Sequence, residues 1–271
     1  MRAAAVLLLS ALLLSCGGGG GPAAPAPDSG VATSQFVSQN TGSAYTIDVY
    51  VPPAYAADTA AYPTIYVTES DAPYGISGPS AISRFANFKA ILAQRGTRAI
   101  LVGVSGTAVR TRDFLLPGAA AYHAFLVKEL IPWVDARYRT SSKRALSGLS
   151  YGGTFVMTAF YLETEAGLFP FTHFLSSEFA TPAAGTADAE FTALKGRALQ
   201  PGRQAPGVTL HLAAAANNGF TNHILVHSLY TELNARALPG LTLVLTDHPT
   251  DSHVSVDGPA FDEALKRFFA P

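Results

Sequence analysis

Charged residues and cysteine are both scarce in this sequence. Only 14% of the 271 residues are charged, and the formal net charge is −1. A protein that binds nucleic acid through its phosphates needs a basic patch, so this composition argues against that class of function. Cys16 is the only cysteine, which excludes an intramolecular disulfide.

The apolar run at the start of the chain, residues 3–14, is shorter than the roughly 20 residues that a membrane-spanning helix needs. It follows Arg2 and fits the apolar core of a signal peptide. It ends in Leu13-Leu14-Ser15-Cys16, which resembles the lipobox of bacterial lipoproteins. We therefore predict a signal peptide over residues 1–15, a lipid on Cys16 and a lipid-anchored protein of the bacterial cell envelope, either periplasmic or surface-exposed. The alternative is an ordinary cleaved signal peptide in which the cysteine has no role.

Residues 16–33 are rich in glycine, proline and alanine and show no hydrophobic periodicity. Such a segment cannot bury a core, so we expect it to be a flexible tether. The remaining residues, 34–271, have a length typical of one α/β domain.

Segments with the pattern of buried strands alternate with segments of helical length along this domain. The predicted strands are residues 45–51, 63–68, 99–104, 143–147, 171–177, 208–215 and 241–246. The predicted helices are residues 80–95, 119–138 (bent at Pro132), 154–162, 222–237 and 258–269. This alternation indicates an α/β fold with a mostly parallel central sheet and helices on both faces, and ligands then bind at the carboxyl ends of the strands. Residues 181–207 show little periodicity, and we expect a lid or a loop near the site there.

One motif with chemical meaning lies between a predicted strand and a predicted helix. Residues 148–153 read GLSYGG, which is the G-x-S-x-G pattern with Ser150 at its centre. A sharp strand-to-helix turn of this kind lifts a serine hydroxyl out of a sheet as a nucleophile. The pattern alone is weak, because a tight turn without chemistry also uses glycine and serine.

A longer series of motifs resembles the putative-esterase family of α/β-hydrolases, which includes enterochelin esterases and esterase D-like enzymes. The resemblance covers about residues 34–270. It rests on Val49-Tyr50-Val51-Pro52, Arg112-Asp113-Phe114, Glu129-Leu130-Ile131-Pro132, Tyr138-Arg139-Thr140, the segment 144–153 and Asp251-Ser252-His253-Val254-Ser255-Val256. It implies an α/β-hydrolase fold and a serine carboxylic ester hydrolase that works through an acyl-enzyme on Ser150.

In this fold the catalytic partners follow in the order serine, acid, histidine. His253 is the predicted base, because it stands in the segment that resembles the family's histidine loop, whereas His248 is a less favoured choice. The backbone N–H groups of Tyr151 and Ser70 are the predicted oxyanion-hole donors, although Glu69-Ser70 departs from the Asp-Gly usual in the family.

The acid is the least certain member of the predicted site. It is expected after the strand 208–215, but the chain has Asn217 and Asn218 there and no carboxylate. Three outcomes stay open: a Ser–His dyad whose ring is held by an asparagine or a backbone carbonyl, an acid supplied by Glu178 or Asp251, or low activity. The dyad is the favoured interpretation.

The substrate is expected to be a small-molecule ester. Arg112, and with it Arg110, is a candidate for binding an anionic part of the substrate, and the alternative is that Arg112 pairs with a carboxylate to brace its loop. No cofactor and no metal site are predicted; His223 and His227 are four residues apart but lack a nearby carboxylate or cysteine. An acyltransferase of the same fold and a non-catalytic surface binding lipoprotein are the alternative functions. The sequence leaves the oligomeric state open.

Overall fold

Eight strands form one sheet in the computed structural model, which describes residues 30–73, 82–181, 185–216 and 222–269. Their order is β1-β2-β4-β3-β5-β6-β7-β8; β2 is antiparallel to both β1 and β4, and all other neighbours are parallel. The strands are β1 (Gly30–Val37), β2 (Ala44–Val51), β3 (Tyr62–Val67), β4 (Ile100–Val104), β5 (Thr140–Leu149), β6 (His173–Ser177), β7 (Val208–Ala215) and β8 (Leu241–His248). The predicted α/β class with a mostly parallel sheet is confirmed.

Helices cover both faces of this sheet and bury two separate apolar layers. One layer includes Tyr122, Phe155 and Phe191, and the other is built around Phe88 and Phe261, whose rings stack 3.7 Å apart. The helices are α1 (Arg84–Arg95), α2 (Arg110–Phe114), α3 (Gly118–Phe125), α4 (Ile131–Asp135), α5 (Tyr151–Ala166), α6 (Thr186–Ala198), α7 (Asn222–Arg236) and α8 (Asp257–Phe268). Because both faces are covered, the parallel strands can be apolar along their whole length.

The first described strand begins before the predicted start of the domain. Gly30–Val37 pairs with Ala44–Val51 over eight residues, so the predicted boundary at residue 34 falls inside a strand. The strand has a period of two, because Ala32, Ser34 and Phe36 are half-buried and their neighbours are exposed. Residues 1–29, with the predicted signal peptide and Cys16, lie outside the described residues, and those assignments stay predictions.

Two helical regions differ from the sequence-based expectation. The segment 181–207 contains α6, whose buried Phe191, Leu194 and Ala198 recur at helical spacing. In the long helix before β5, the irregularity precedes Pro132: a π-helical turn, Leu126–Leu130, joins α3 to α4. Pro132 itself lies in the first turn of α4, where a missing N–H is tolerated.

Candidate active site

Ser150 occupies the turn between β5 and α5, as the motif predicts. Its backbone has φ 58° and ψ −119°, and α5 begins at the next residue. The Ser150 N–H donates to the carbonyl of Ser177 at the end of β6, at 3.0 Å. Positive φ is unfavourable for a residue with a side chain, so the surrounding structure must hold this turn in place.

The glycines of the motif are required by close packing. A Cβ atom at Gly148 would lie 2.1 Å from the carbonyl oxygen of Gly152, and one at Gly153 would lie 2.8 Å from the carbonyl oxygen of Ser177. Neither neighbour is a side chain that can turn away. The strand and the helix therefore approach one another more closely than any other residue type permits.

The residues that follow three adjacent strands share a positive φ angle. Glu69 follows β3, Ser150 follows β5 and Glu178 follows β6, with φ values of 50°, 58° and 47°. In the described residues, Ala237 is the one other non-glycine residue with positive φ. Strained backbone tends to concentrate at functional sites, so this clustering marks the carboxyl edge of β3, β5 and β6 as the site.

Glu178 lies against the ring of His253. Its Oε2 atom is 3.1 Å from His253 Nδ1, and its Oε1 atom accepts the backbone N–H of Ala215 at 2.6 Å. The side chain of Glu178 is fully buried, while that of His253 is 19% exposed. The sequence favoured a Ser–His dyad in which an asparagine or a backbone carbonyl holds the His253 ring. The structure instead places a carboxylate against that ring. A carboxylate is present, and it follows β6 rather than β7.

The other candidates for orienting the histidine have different positions. Asp251 accepts a hydrogen bond from Ser255 Oγ at 2.8 Å, and its second oxygen is 3.7 Å from His248 Nδ1. Asn217 and Asn218 lie outside the described residues. Asn222, which the sequence suggested only as a helix start, donates to the Glu178 carbonyl at 3.3 Å and places its Nδ2 atom 3.4 Å from His253 Nδ1.

The Ser150 hydroxyl and the His253 ring make no hydrogen bond with each other within the described part of the chain. The hydrogen bond through which a general base takes the serine proton is therefore not formed in this structure. Catalytic hydrogen bonds are often long in ligand-free enzymes and shorten when substrate binds.

Of the two predicted oxyanion donors, Ser70 has its amide engaged elsewhere. The Ser70 N–H donates to the Val104 carbonyl at 3.0 Å, which extends the pairing of β3 with β4 past the end of the strand. The prediction for Ser70 is thus wrong for this conformation. Tyr151, the first residue of α5, has the predicted position at the helix N-terminus, where N–H groups lack partners within the helix.

The two arginines after β4 have different partners. Arg112 forms a bidentate pair with its neighbour Asp113, with distances of 2.6 and 3.0 Å, and its side chain is half exposed. This is the loop-bracing arrangement that the sequence left as the alternative to substrate binding. Arg110 instead lies 2.8 Å from Glu69 Oε1 and stacks on Tyr151, with Cζ 5.2 Å from the ring centroid.

A buried ion pair supports the site from below. Arg84 in α1 donates to both carboxylate oxygens of Asp257 in α8, at 2.7 and 2.9 Å. The same guanidinium also donates to the Thr68 carbonyl at 2.7 Å and to Ser147 Oγ at 2.9 Å. Both charged side chains are fully buried. The arginine therefore ties the ends of β3 and β5 together immediately beneath Glu69 and Ser150.

Several other histidines have structural partners. His123 Nε2 is 2.9 Å from Glu163, His211 Nε2 is 2.8 Å from Thr246 Oγ1 and His227 Nε2 is 2.7 Å from Asp247. Burial lowers the pKa of His173 and of His211 to about 4, so both rings are neutral at neutral pH.

Comparison with known proteins agrees with this geometry. A family model described as "Putative esterase" matches residues 38–177, which include β2 to β6 and the Ser150 turn. The chain belongs to the putative esterase family. No curated protein sequence matches it. As a member of this family, the protein is a serine esterase, as the resemblance implied.

Solved structures of low sequence identity share the fold. An IroE-like serine hydrolase from Shewanella oneidensis is 20% identical with a TM-score of 0.71, and the match covers 88% of this chain and 79% of that chain. Siderophore hydrolase EstA from Aspergillus nidulans is 18% identical with a TM-score of 0.70, covering 93% and 99%. The enterobactin hydrolase IroE in complex with DFP is 20% identical with a TM-score of 0.62, covering 88% and 94%. These structures confirm the α/β-hydrolase fold that was predicted for this chain.

Proposed function

We propose that this esterase hydrolyses carboxylic esters through an acyl-enzyme on Ser150, with His253 as general base and Glu178 as the acid that orients it. The observation that carries the proposal is the 3.1 Å contact between Glu178 Oε2 and His253 Nδ1 beside the strained Ser150 turn. The chain order serine, acid, histidine is that of α/β-hydrolases.

The contact defines which ring nitrogen can act as the base. A carboxylate only accepts hydrogen bonds, so Glu178 favours the tautomer of His253 that carries its proton on Nδ1. The Nε2 atom is then unprotonated and able to take the proton of the Ser150 hydroxyl, which is a weak nucleophile without a base. When Nε2 becomes protonated, the Glu178 carboxylate stabilises the resulting positive charge.

The reaction then proceeds in two balanced halves. Ser150 Oγ attacks the ester carbonyl carbon while its proton moves to His253 Nε2, and collapse of the tetrahedral intermediate expels the alcohol, which takes up that proton. Water attacks the acyl-enzyme, gives one proton to His253, and the acid is released as the proton returns to Ser150 Oγ. The Tyr151 N–H, at the amino end of α5, supports the negative oxygen in both halves.

The substrate class in this proposal is a small carboxylic ester. Structural neighbours include two siderophore hydrolases from Aspergillus nidulans and a ferulic acid esterase. Their names make siderophore-type and feruloyl esters the first compounds to assay. Hydrolysis of p-nitrophenyl acetate and p-nitrophenyl butyrate then ranks the acyl length.

A fluorophosphonate probe followed by peptide mass spectrometry tests the proposal. We expect stoichiometric labelling at Ser150 and none in Ser150→Ala, together with a loss of at least about 10³-fold in ester hydrolysis. Ser252→Ala, which removes an exposed serine next to His253, is the matched control and should be labelled like the wild type. An unlabelled wild-type protein that is folded by circular dichroism would refute the proposal and favour the non-catalytic alternative.

A further inference from the structure

The strand end on the other side of Ser150 also carries a buried glutamate. β5 lies between β3 and β6, and Glu69 follows β3 as Glu178 follows β6. The Glu69 side chain has no exposed surface. Its backbone has φ 50°, a conformation that a glutamate adopts only when the surrounding structure enforces it. The mechanism above assigns this residue no role.

Glu69 contacts the nucleophile turn directly. A Cβ atom added to Gly152 would lie 3.0 Å from Glu69 Oε2, so the carboxylate packs against the second residue of α5. A buried carboxylate is costly in free energy unless charged or polar groups compensate for the lost hydration. The groups that compensate Glu69 therefore lie beside the nucleophile turn as well.

The partner of Glu69 extends this contact to the residue after the nucleophile. Arg110 Nε is 2.8 Å from Glu69 Oε1, and the same guanidinium lies over the ring of Tyr151. An arginine stacked on an aromatic ring limits the rotation of that ring. Tyr151 is thus held from one side by Arg110 and through its own backbone by α5.

The loop that carries Arg110 is itself fastened to the segment that carries Glu69. Asp71 accepts the backbone N–H of Gly106 at 2.9 Å and the hydroxyl of Thr107 at 2.9 Å. The residues directly after β3 are therefore hydrogen-bonded to the residues directly after β4. Arg110 is partly exposed, and these hydrogen bonds bring the residues just before its helix next to the segment that carries Glu69.

We propose that Glu69 and Arg110 act together as positioning residues for the nucleophile turn. Glu69 holds the guanidinium of Arg110 over the Tyr151 ring, and the pair thereby fixes the Ser150–Tyr151 peptide, whose N–H donates a hydrogen bond to the oxyanion. This inference rests on the proposed function, because it assigns the pair to transition-state stabilisation at Ser150. Interactions made only in the transition state raise kcat and leave KM unchanged, so the inference predicts an effect on kcat.

Steady-state kinetics with p-nitrophenyl acetate, a neutral ester, tests this coupling in a double-mutant cycle. We expect Glu69→Gln and Arg110→Met each to lower kcat by about tenfold with KM within about twofold, since each breaks the same support. The double variant should also lose about tenfold rather than about a hundredfold, because residues that act through each other are not additive. The rate of fluorophosphonate labelling at Ser150 should fall in parallel while its final extent stays complete.

Arg137→Met is the matched control, because Arg137 also stacks on an aromatic ring, with Cζ 4.3 Å from the Trp133 centroid. Its kinetics should equal those of the wild type. Additive losses in the double variant, an unchanged kcat, or a change in KM alone would each overturn the inference. If Glu69→Gln gives too little folded protein, the cycle is run with Arg110→Met and Tyr151→Leu, and the same non-additivity is expected.

The two proposals can fail separately. If the wild-type protein is not labelled at Ser150, the proposed function fails and the cycle has no activity to report. If the wild type is labelled and the Glu69 and Arg110 variants match it, the function stands and only the positioning role is refuted.

Discussion

Glu178 and Glu69 lie on opposite sides of β5 and have nearly the same local structure. Each follows a parallel strand, each has positive φ and each side chain is fully buried. Their partners differ, because Glu178 contacts the His253 ring and Glu69 contacts the Arg110 guanidinium. A strand end can therefore provide burial and a strained backbone for either carboxylate. In the two proposals, the partner decides whether the acid orients a base or holds a permanent cation.

The two carboxylates also differ in the groups that surround their oxygens. The second oxygen of Glu178 accepts a short hydrogen bond from the Ala215 backbone on β7. Burial raises the pKa of Glu69 to about 7, although Arg110 and Arg84 both lower it. Part of the Glu69 population is thus protonated near neutral pH, which makes the Glu69 side of the site sensitive to pH.

The largest expected effect is on the Glu178 side. Glu178→Gln keeps the shape of the side chain but removes the charge and favours the wrong histidine tautomer, so we expect kcat/KM for p-nitrophenyl acetate to fall by about 10³–10⁴-fold. Glu69→Gln is expected to lose only about tenfold, and the gap between the two losses measures the difference between the two proposed roles. Asp251→Asn, which neutralises the other candidate acid, is assayed under the same conditions as Glu178→Gln. A larger loss in Asp251→Asn than in Glu178→Gln would show that the acid is misassigned.

The sequence was sufficient for the fold class and for the turn that carries Ser150. The alternation of strands with helices predicts a mostly parallel sheet, and the G-x-S-x-G pattern predicts the turn at Ser150, because both depend on local spacing. Glu178 was only one candidate among several. Its contact with His253 depends on β6 lying next to β5 and on the segment around His253 reaching the end of β6, which are tertiary facts that no local pattern encodes.

The sequence-based predictions for Ser70, for the start of the domain and for Glu69 also missed features that depend on tertiary structure. Ser70 was assigned to the oxyanion hole from its position after β3, but a sequence does not show that its amide continues the pairing with β4. Residues 30–33, the first half of β1, were assigned to the tether, because this strand has no fully buried residue to indicate where the domain begins. The contact of Glu69 with Gly152 and Arg110 joins residues that are distant along the chain, and it left no signal in the sequence.

The next effect concerns stability rather than activity. A buried acid with a raised pKa is protonated more readily in the folded than in the unfolded state. Its contribution to stability is therefore full below about pH 4.5 and is lost as the pH rises to about 7. We expect the free energy of unfolding of the wild type, relative to Glu69→Gln, to fall by about 3 kcal/mol across this interval. Urea unfolding at a series of pH values measures it, and a difference that does not depend on pH would contradict the assignment.

The smallest expected effect is a difference in stability between alanine variants of Gly152, which faces Glu69, and Gly153, which faces the end of β6. On the Glu178 side, a Cβ atom at Gly153 would meet the backbone carbonyl of Ser177 at 2.8 Å, which cannot move without shifting β6. On the Glu69 side, a Cβ atom at Gly152 would meet only side-chain oxygens, those of Thr68 at 2.9 Å and of Glu69 at 3.0 Å. We therefore expect Gly153→Ala to lower the free energy of unfolding by about 1–3 kcal/mol and Gly152→Ala to lower it by less.

Urea unfolding of the two alanine variants at one pH checks this order. Gly152→Ala should still reduce kcat, because the displaced Glu69 carboxylate can no longer hold Arg110 over Tyr151. If Gly152→Ala were as destabilising as Gly153→Ala but kept its activity, catalysis would not depend on the position of the Glu69 carboxylate. In that case the two carboxylates beside Ser150 would differ in importance as well as in partner, and only Glu178 would need its present position.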